Sequence, residues 1–210
     1  MINKVALARE YGSGGAAIAS LVATELGWEL VDRACIERAA AMADVSPDAA
    51  ALCDERIPSW IERLVKNIGA GALERDRPPS PVALTADRMQ TFAQQVVLEA
   101  GSRPNGCVIV GRGSQCILRD HPDVLQVFVY APFADRFRRV RPRYGSDQEA
   151  VAAMERLEQA RTDFIRHYFH CDRYGRELYH LMINSAVGIA TATRMIVEAV
   201  KGSRAQSVAA

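Results

Sequence analysis

An apolar run, a glycine-rich turn and a helical pattern follow one another in Val5-Ala6-Leu7-Ala8-Arg9-Glu10-Tyr11-Gly12-Ser13-Gly14-Gly15-Ala16-Ala17-Ile18-Ala19. Few backbones accommodate that order. A buried strand has to turn sharply where only glycines permit it, and a helix has to start at the carboxyl end of the strand. Consecutive N–H groups then point at one anion, and the positive end of the helix dipole adds to them. The stretch predicts a phosphate cradle and, with it, phosphorylated nucleotides as the ligand class. A transfer loop of the G-x-x-x-x-G-K-[ST] pattern also carries a Lys that neutralises the moving phosphate and a hydroxyl that holds Mg²⁺. Here Gly15 stands where the Lys belongs, and Ala16 and Ala17 stand where the hydroxyl would be. The cradle is present without its charge.

The rest of the chain alternates strand and helix patterns. Residues 3–8 read as a buried strand, and 14–26 as a helix with Ile18, Leu21, Val22 and Leu26 on one face, ended by Gly27. Residues 28–32 read as a second strand, and 36–42 as helix. Residues 85–100 form an amphipathic helix, 107–110 and 124–130 strands, 133–141 a cationic helix, and Ser146-x-x-Glu149 a capping box opening a helix to about 168. Residues 181–184 are a last strand and 189–201 a last helix. This alternation predicts an α/β fold, a parallel five-stranded sheet flanked by helices and joined by right-handed crossovers. Ligands in such sheets lie at the carboxyl ends of strands, and Arg9, Asp32 and Arg112 each follow a predicted strand.

Length and composition are consistent with one domain over residues 1–201. A helical insertion on the acceptor side would span 44–105, with prolines at 47, 58, 78, 79 and 81, a lid 133–166, and a flexible tail 202–210. No apolar run reaches the roughly 18 residues of a membrane span, and no signal-peptide pattern opens the chain, which points to a cytoplasmic protein without membrane partners. The five cysteines, at 35, 53, 107, 116 and 171, are odd in number and scattered, as reduced thiols are. A net charge of +1 gives no electrostatic reason to bind nucleic acid. Lysine occurs only at 4, 66 and 201, so any grip on phosphate falls to arginine, whose planar fork suits it.

Several residues carry two readings. Asp32 could accept from a ligand or cap the following helix. Arg112, flanked by Gly111 and Gly113, could approach a phosphate closely or be a solvated loop residue. Arg136, Arg138, Arg139, Arg141 and Arg143 form either a cationic flap over polyphosphate or a solvent face. Arg161 and Arg166 could meet that flap, or pair with Glu158 and Asp163 along their own helix. His167, His170 and Cys171 lack a fourth ligand at a matching spacing and read as a helix end on the core, so no protein-held metal site is assigned.

Together Ala8 to Gly15, Val31-Asp32-Arg33, Cys107 to Gly113, Arg143-Tyr144-Gly145 and the helix bearing Arg161 resemble the cytidylate kinase-like family, a branch of the P-loop nucleoside monophosphate kinases, over roughly residues 3–200. The resemblance implies ATP-dependent transfer of the γ-phosphoryl to an acceptor phosphate, with Mg²⁺ as cofactor and CMP or dCMP as acceptor. Gly12, Ser13, Gly14, Gly15 and Ala16 would cradle ATP, with Ser13 as a candidate contact to Mg²⁺. Asp32, Arg38 and Arg112 would hold the acceptor. Arg139 and Arg143 would belong to the lid, and Arg161 and Arg166 would bridge the two phosphate chains. The chain departs from the pattern at Gly15, at Ala16 and Ala17, and at Val110, where the family has the Asp of Asp-Gly-Arg. Arg9 is the nearest cation that could replace the Lys, and Gly15→Lys is expected to raise or restore turnover if the loop keeps its cradle shape, at the risk of straining a backbone that needs glycine. The alternative is a nucleotide-binding sensor or scaffold without turnover. The acceptor base and the oligomeric state are not legible.

Overall fold

Strand β1 (Lys4–Arg9) occupies the middle of the sheet because nearly every side chain on it can be buried on either face. The structure is a computed structural model and describes residues 1–32, 35–36 and 86–208. After β1 come helix α1 (Gly15–Leu26), β2 (Glu29–Val31), α2 (Ala86–Ser102), β3 (Cys107–Val110), α3 (Ser114–Ile117), β4 (Val124–Tyr130), α4 (Phe133–Val140), α5 (Asp147–Phe169), β5 (Leu181–Asn184) and α6 (Ile189–Val208). All strands run parallel in the order β2-β3-β1-β4-β5. The register sets Leu7 beside Val110 and Arg9 beside Val129, so the carboxyl ends of β1, β3 and β4 lie level.

Side-chain alternation divides the core into two layers. Val5, Leu7 and Val127 point to the face covered by α1 and α6, where they meet Ile18, Val22, Ile196, Val197 and Val200. Ala6, Ile109 and Val31 point to the opposite face, under Phe92, Ala93, Val96 and Val97 of α2. At the amino end of the sheet Lys4, 1% exposed, is neutralised by Asp123 at 2.6 Å. Lys4 therefore sits at the end of the sheet opposite the glycine loop.

Helix limits follow local chemistry. Gly27 adopts φ 65°, and its N–H closes α1 onto the Thr24 carbonyl. Ser146 Oγ accepts from the Glu149 N–H at 3.2 Å, while Glu149 returns to the N–H of Gly145, one residue earlier than the usual box partner. The short helix α3 has too few residues to show a period and escapes the sequence reading. The last helix continues past Lys201 to Val208, where the sequence reading expects a flexible tail, and Ser203 Oγ bonds back to the Val200 carbonyl at 2.8 Å. Of the expected helix 36–42, only Ile36 is described. Residues 44–85 of the expected insertion, and Arg38 with them, lie outside the described residues.

Candidate functional site

The glycine loop is held from behind by side chains that leave it no room for its own. Gly12 and Gly14 adopt φ 80° and 81°. A Cβ on Gly12 would meet the Arg136 carbonyl at 2.8 Å, and one on Gly14 would meet Ile189 at 2.5 Å. Ser13 is fully buried. Its Oγ donates to the Glu10 carbonyl at 2.9 Å and accepts from the Gly15 N–H at 3.3 Å. That hydroxyl fixes the turn instead of facing a metal, which corrects the expectation of Ser13 as a Mg²⁺ contact. Ser185 Oγ donates to the Ser13 carbonyl at 2.5 Å, and Arg139 donates to the Gly12 carbonyl at 3.2 Å and to Ser185. Ala16 and Ala17 are exposed at the start of α1. Their N–H groups have no acceptor among the described residues, so they are free to meet an anion.

Arg9 passes in front of this loop. A Cβ on Gly15 would lie 2.6 Å from Arg9 Cβ and 3.0 Å from Arg9 Cγ, and one on Gly111 would lie 2.0 Å from Arg9 Nη1. The stem of Arg9 therefore fills the space that a side chain at position 15 would use, and its guanidinium lies on the backbone of the Gly111-Arg112-Gly113 turn. Burial, then the charges of Arg161, Arg112 and Arg173, pull the Arg9 guanidinium down to about 10, with Asp32 acting in the opposite sense. Four arginines thus converge on one volume.

The turn after β3 has Gly111, Arg112 and Gly113 at φ 73°, 58° and 74°. Arginine rarely adopts this conformation; here both neighbours are glycine, and Phe169 is packed where a Cβ on Gly113 would be, at 2.2 Å. Asp32 caps the next helix through Oδ1, which accepts from the Cys35 N–H at 2.8 Å, and its charge also acts on Arg9. The capping reading of Asp32 is thus seen directly.

Glu158, from the middle of α5, ties the lid side to the loop. Its carboxylate accepts from the Tyr11 N–H at 2.6 Å, from Arg161 at 3.1 Å, from Arg173 at 3.0 Å and from the Tyr174 hydroxyl at 3.2 Å. Arg161 and Arg173 both donate to the Arg9 carbonyl at 2.9 Å. Arg161 thus reaches the site and pairs with Glu158 as well. Arg166 does not reach it. Five residues along a helix turn the side chain by about 140°, and Arg166 lines a separate cleft with Thr162, His170, Cys171 and Asp172. The second arginine beside Arg9 is instead Arg173, 3% exposed, which the sequence reading does not single out.

The expected cationic flap is largely paired with protein. Arg136 bonds Glu10 and the Ala131 carbonyl, Arg138 bonds Asp135 at 2.5 Å, and Arg141 bonds Asp147 and the Tyr144 carbonyl. Arg143 hydrogen-bonds Tyr11, whose hydroxyl also meets that of Tyr144 at 3.1 Å. Burial pushes the Tyr11 phenol up, but the hydrogen bonds from Tyr144 and Arg143 and the charges of Arg143 and Arg161 outweigh it and leave it below its ordinary value. Among the described residues no group of three or more His, Cys, Asp or Glu side chains could hold a metal ion, and no helix is long and apolar enough to cross a membrane.

The sequence model of the cytidylate kinase-like family matches residues 4–187, so the chain belongs to that family. Among solved structures, an uncharacterized protein from Eubacterium ventriosum superposes with TM-score 0.65 at 19% identity, covering 96% of this chain and 99% of that one. A gluconokinase from Sinorhizobium meliloti superposes at 0.52, with 12% identity and 95% and 91% coverage. Shikimate kinase from Acinetobacter baumannii, in complex with shikimate, superposes at 0.50, with 14% identity and 97% and 95% coverage. These likenesses establish the fold, that of the P-loop kinases. No curated protein matches the chain.

Proposed function

From its place in the cytidylate kinase-like family, we propose that this chain is an ATP-dependent kinase of nucleoside monophosphates, passing the γ-phosphoryl of ATP to an acceptor phosphate of the CMP or dCMP type. Family and fold support a kinase of nucleotides or small molecules; the donor and the acceptor are the proposed part. One observation carries the reading: the Arg9 side chain spans the interval between the phosphate loop, where its stem lies against Gly15, and the Arg112 turn, where its guanidinium lies over Gly111. In phosphoryl transfer the reacting oxygens meet between donor cradle and acceptor grip, and catalysis there rests on positioning and charge cancellation. Arg9 supplies a fixed charge at that junction, in place of the Lys absent at position 15. Gly14, Ala16 and the loop backbone would hold the donor phosphates. Asp32 and Arg112 would orient the acceptor, and Arg161 with Arg173 would meet the charge developing between them. Arg139 and Arg143 would fix the loop and Tyr11. Arg38 completes the acceptor side by family resemblance alone.

The described residues do not fit a protein-held Mg²⁺. The helix start offers alanines, the Ser13 hydroxyl is spent on the loop, and the end of β3 offers Val110 and Gly111. Any Mg²⁺ would arrive on the nucleotide, and no step is assigned to it.

The missing Lys also favours a second reading, a nucleotide sensor that binds without turnover. ADP release from ATP with CMP, dCMP and UMP separates the two. The kinase reading expects release with at least one acceptor, lowered by on the order of a hundredfold in Arg9→Ala, the scale for removing one preorganised charge partner. Nucleotide binding without release from any acceptor would leave the sensor.

A further inference from the structure

We infer that the cradle takes its polyphosphate as the metal-free anion, with the arginine cluster in the position where related loops place a divalent cation. The inference rests on the reading that the loop binds a nucleotide. In P-loop enzymes a metal ion on the phosphates is held by an oxygen donor at the start of the first helix and a carboxylate from a neighbouring strand end, with water filling the rest. The first place carries Ala16 and Ala17, and the buried Ser13 hydroxyl is committed to Glu10 and Gly15. The neighbouring strand end is Val110-Gly111, and the volume over Gly111 is filled by Arg9 Nη1.

The carboxylates within reach are engaged as well. Glu10 Oε2 accepts from the Ala131 N–H at 3.1 Å and from Arg136 at 3.2 Å. Glu158 holds Tyr11, Arg161, Arg173 and Tyr174. Asp32 caps a helix through Oδ1, and its charge acts on Arg9. Among the described residues, a divalent cation placed here would meet Arg9, Arg112, Arg161 and Arg173, while Glu10, Asp32 and Glu158 each already serve a partner. A bare diphosphate, with more negative charge than its Mg²⁺ complex, is the better complement.

The test is calorimetric titration of the full chain with ADP, in EDTA and in excess Mg²⁺. The expected result is binding in EDTA at least as tight as in Mg²⁺, and tighter by a fewfold. By reciprocity of linked equilibria, the protein should then lower the affinity of ADP for Mn²⁺, seen as released free Mn²⁺ by electron paramagnetic resonance. In Arg9→Ala, ADP binding should weaken about tenfold or more in EDTA and much less in Mg²⁺, because the metal can then occupy the vacated volume. Binding that requires Mg²⁺, or Mn²⁺ held more tightly by ADP on the protein than by ADP alone, would overturn the inference while leaving the nucleotide reading intact. No ADP binding in either buffer would remove the nucleotide reading and this inference together.

Discussion

At the scale of single residues, Arg9 and Gly15 form a complementary pair. The Gly15 backbone does not need glycine for its own conformation, since its φ is not positive; it needs glycine because Arg9 Cβ lies 2.6 Å from where a side chain would begin. Gly15→Lys is therefore expected to destabilise the protein, by about 1–3 kcal/mol as an overpacked site, and not to strengthen ADP binding. The sequence shows the missing charge but not the volume that Arg9 already takes, which is where the strain of a side chain at position 15 arises. Combined with Arg9→Gly, which removes that Cβ, the same change should recover most of the lost stability, an interaction of roughly 0.5–3 kcal/mol between touching residues. Urea midpoints of the two single variants and the double variant measure it, and additive losses would show that the two side chains do not compete. Arg9 also keeps a cost of its own. Its folded value of about 10 lies below that of the unfolded chain, so the folded state holds the proton less tightly, and the penalty is present throughout the pH range below about 10. It should shrink when an anion binds.

At the scale of elements, α5 is fastened to the loop through one carboxylate. Arg173 and Glu158 are 4% and 15% exposed as side chains, so removing the acid strands a buried guanidinium. Glu158→Ala is expected to cost about 3 kcal/mol in urea unfolding, with Glu158→Gln less affected because its single amide oxygen still accepts from one pair of donors, Tyr11 with Arg161 or Arg173 with Tyr174. An alanine variant as stable as the parent would mean that the Arg9 carbonyl alone holds both arginines. This assembly also marks what the sequence could not convey. Strand ends, the glycine loop and the Ser146 cap are local signals, and they are enough to set Arg9, Asp32 and Arg112 after strands, whereas Arg161 enters by family resemblance. Arg173 stands in Asp172-Arg173-Tyr174-Gly175, a turn with no period, and its burial arises only when α5 and β4 close over it, with its guanidinium 5.9 Å from the Phe128 ring centroid. The helical period was visible in α5, but its phase relative to the site was not, and that phase turns Arg161 inward and Arg166 away.

At the scale of the whole molecule, the cradle has no foundation separate from the core. Helix α1, whose first turn would meet the phosphates, is held down by α6, through Ile18 and Val22 against Ile196, Val197 and Val200. The alternation of apolar strands and amphipathic helices made this layering legible, because each burial face is written in a period of two or of 3.6. Site and body should therefore unfold in one step. Ile196, fully buried, tests this from the face away from the arginines. Ile196→Ala is expected to cost about 2–5 kcal/mol by cavity formation. ADP at 100 times its dissociation constant should add about 2.7 kcal/mol to parent and variant alike, since ligand linkage acts on the folded state as a whole. Equal increments in urea titrations followed by far-ultraviolet circular dichroism would mean that the loop survives wherever the core does. A much smaller increment in Ile196→Ala would mean that α1 loosens from α6 before the sheet unfolds, and that the cradle is a weaker unit resting on a stronger one.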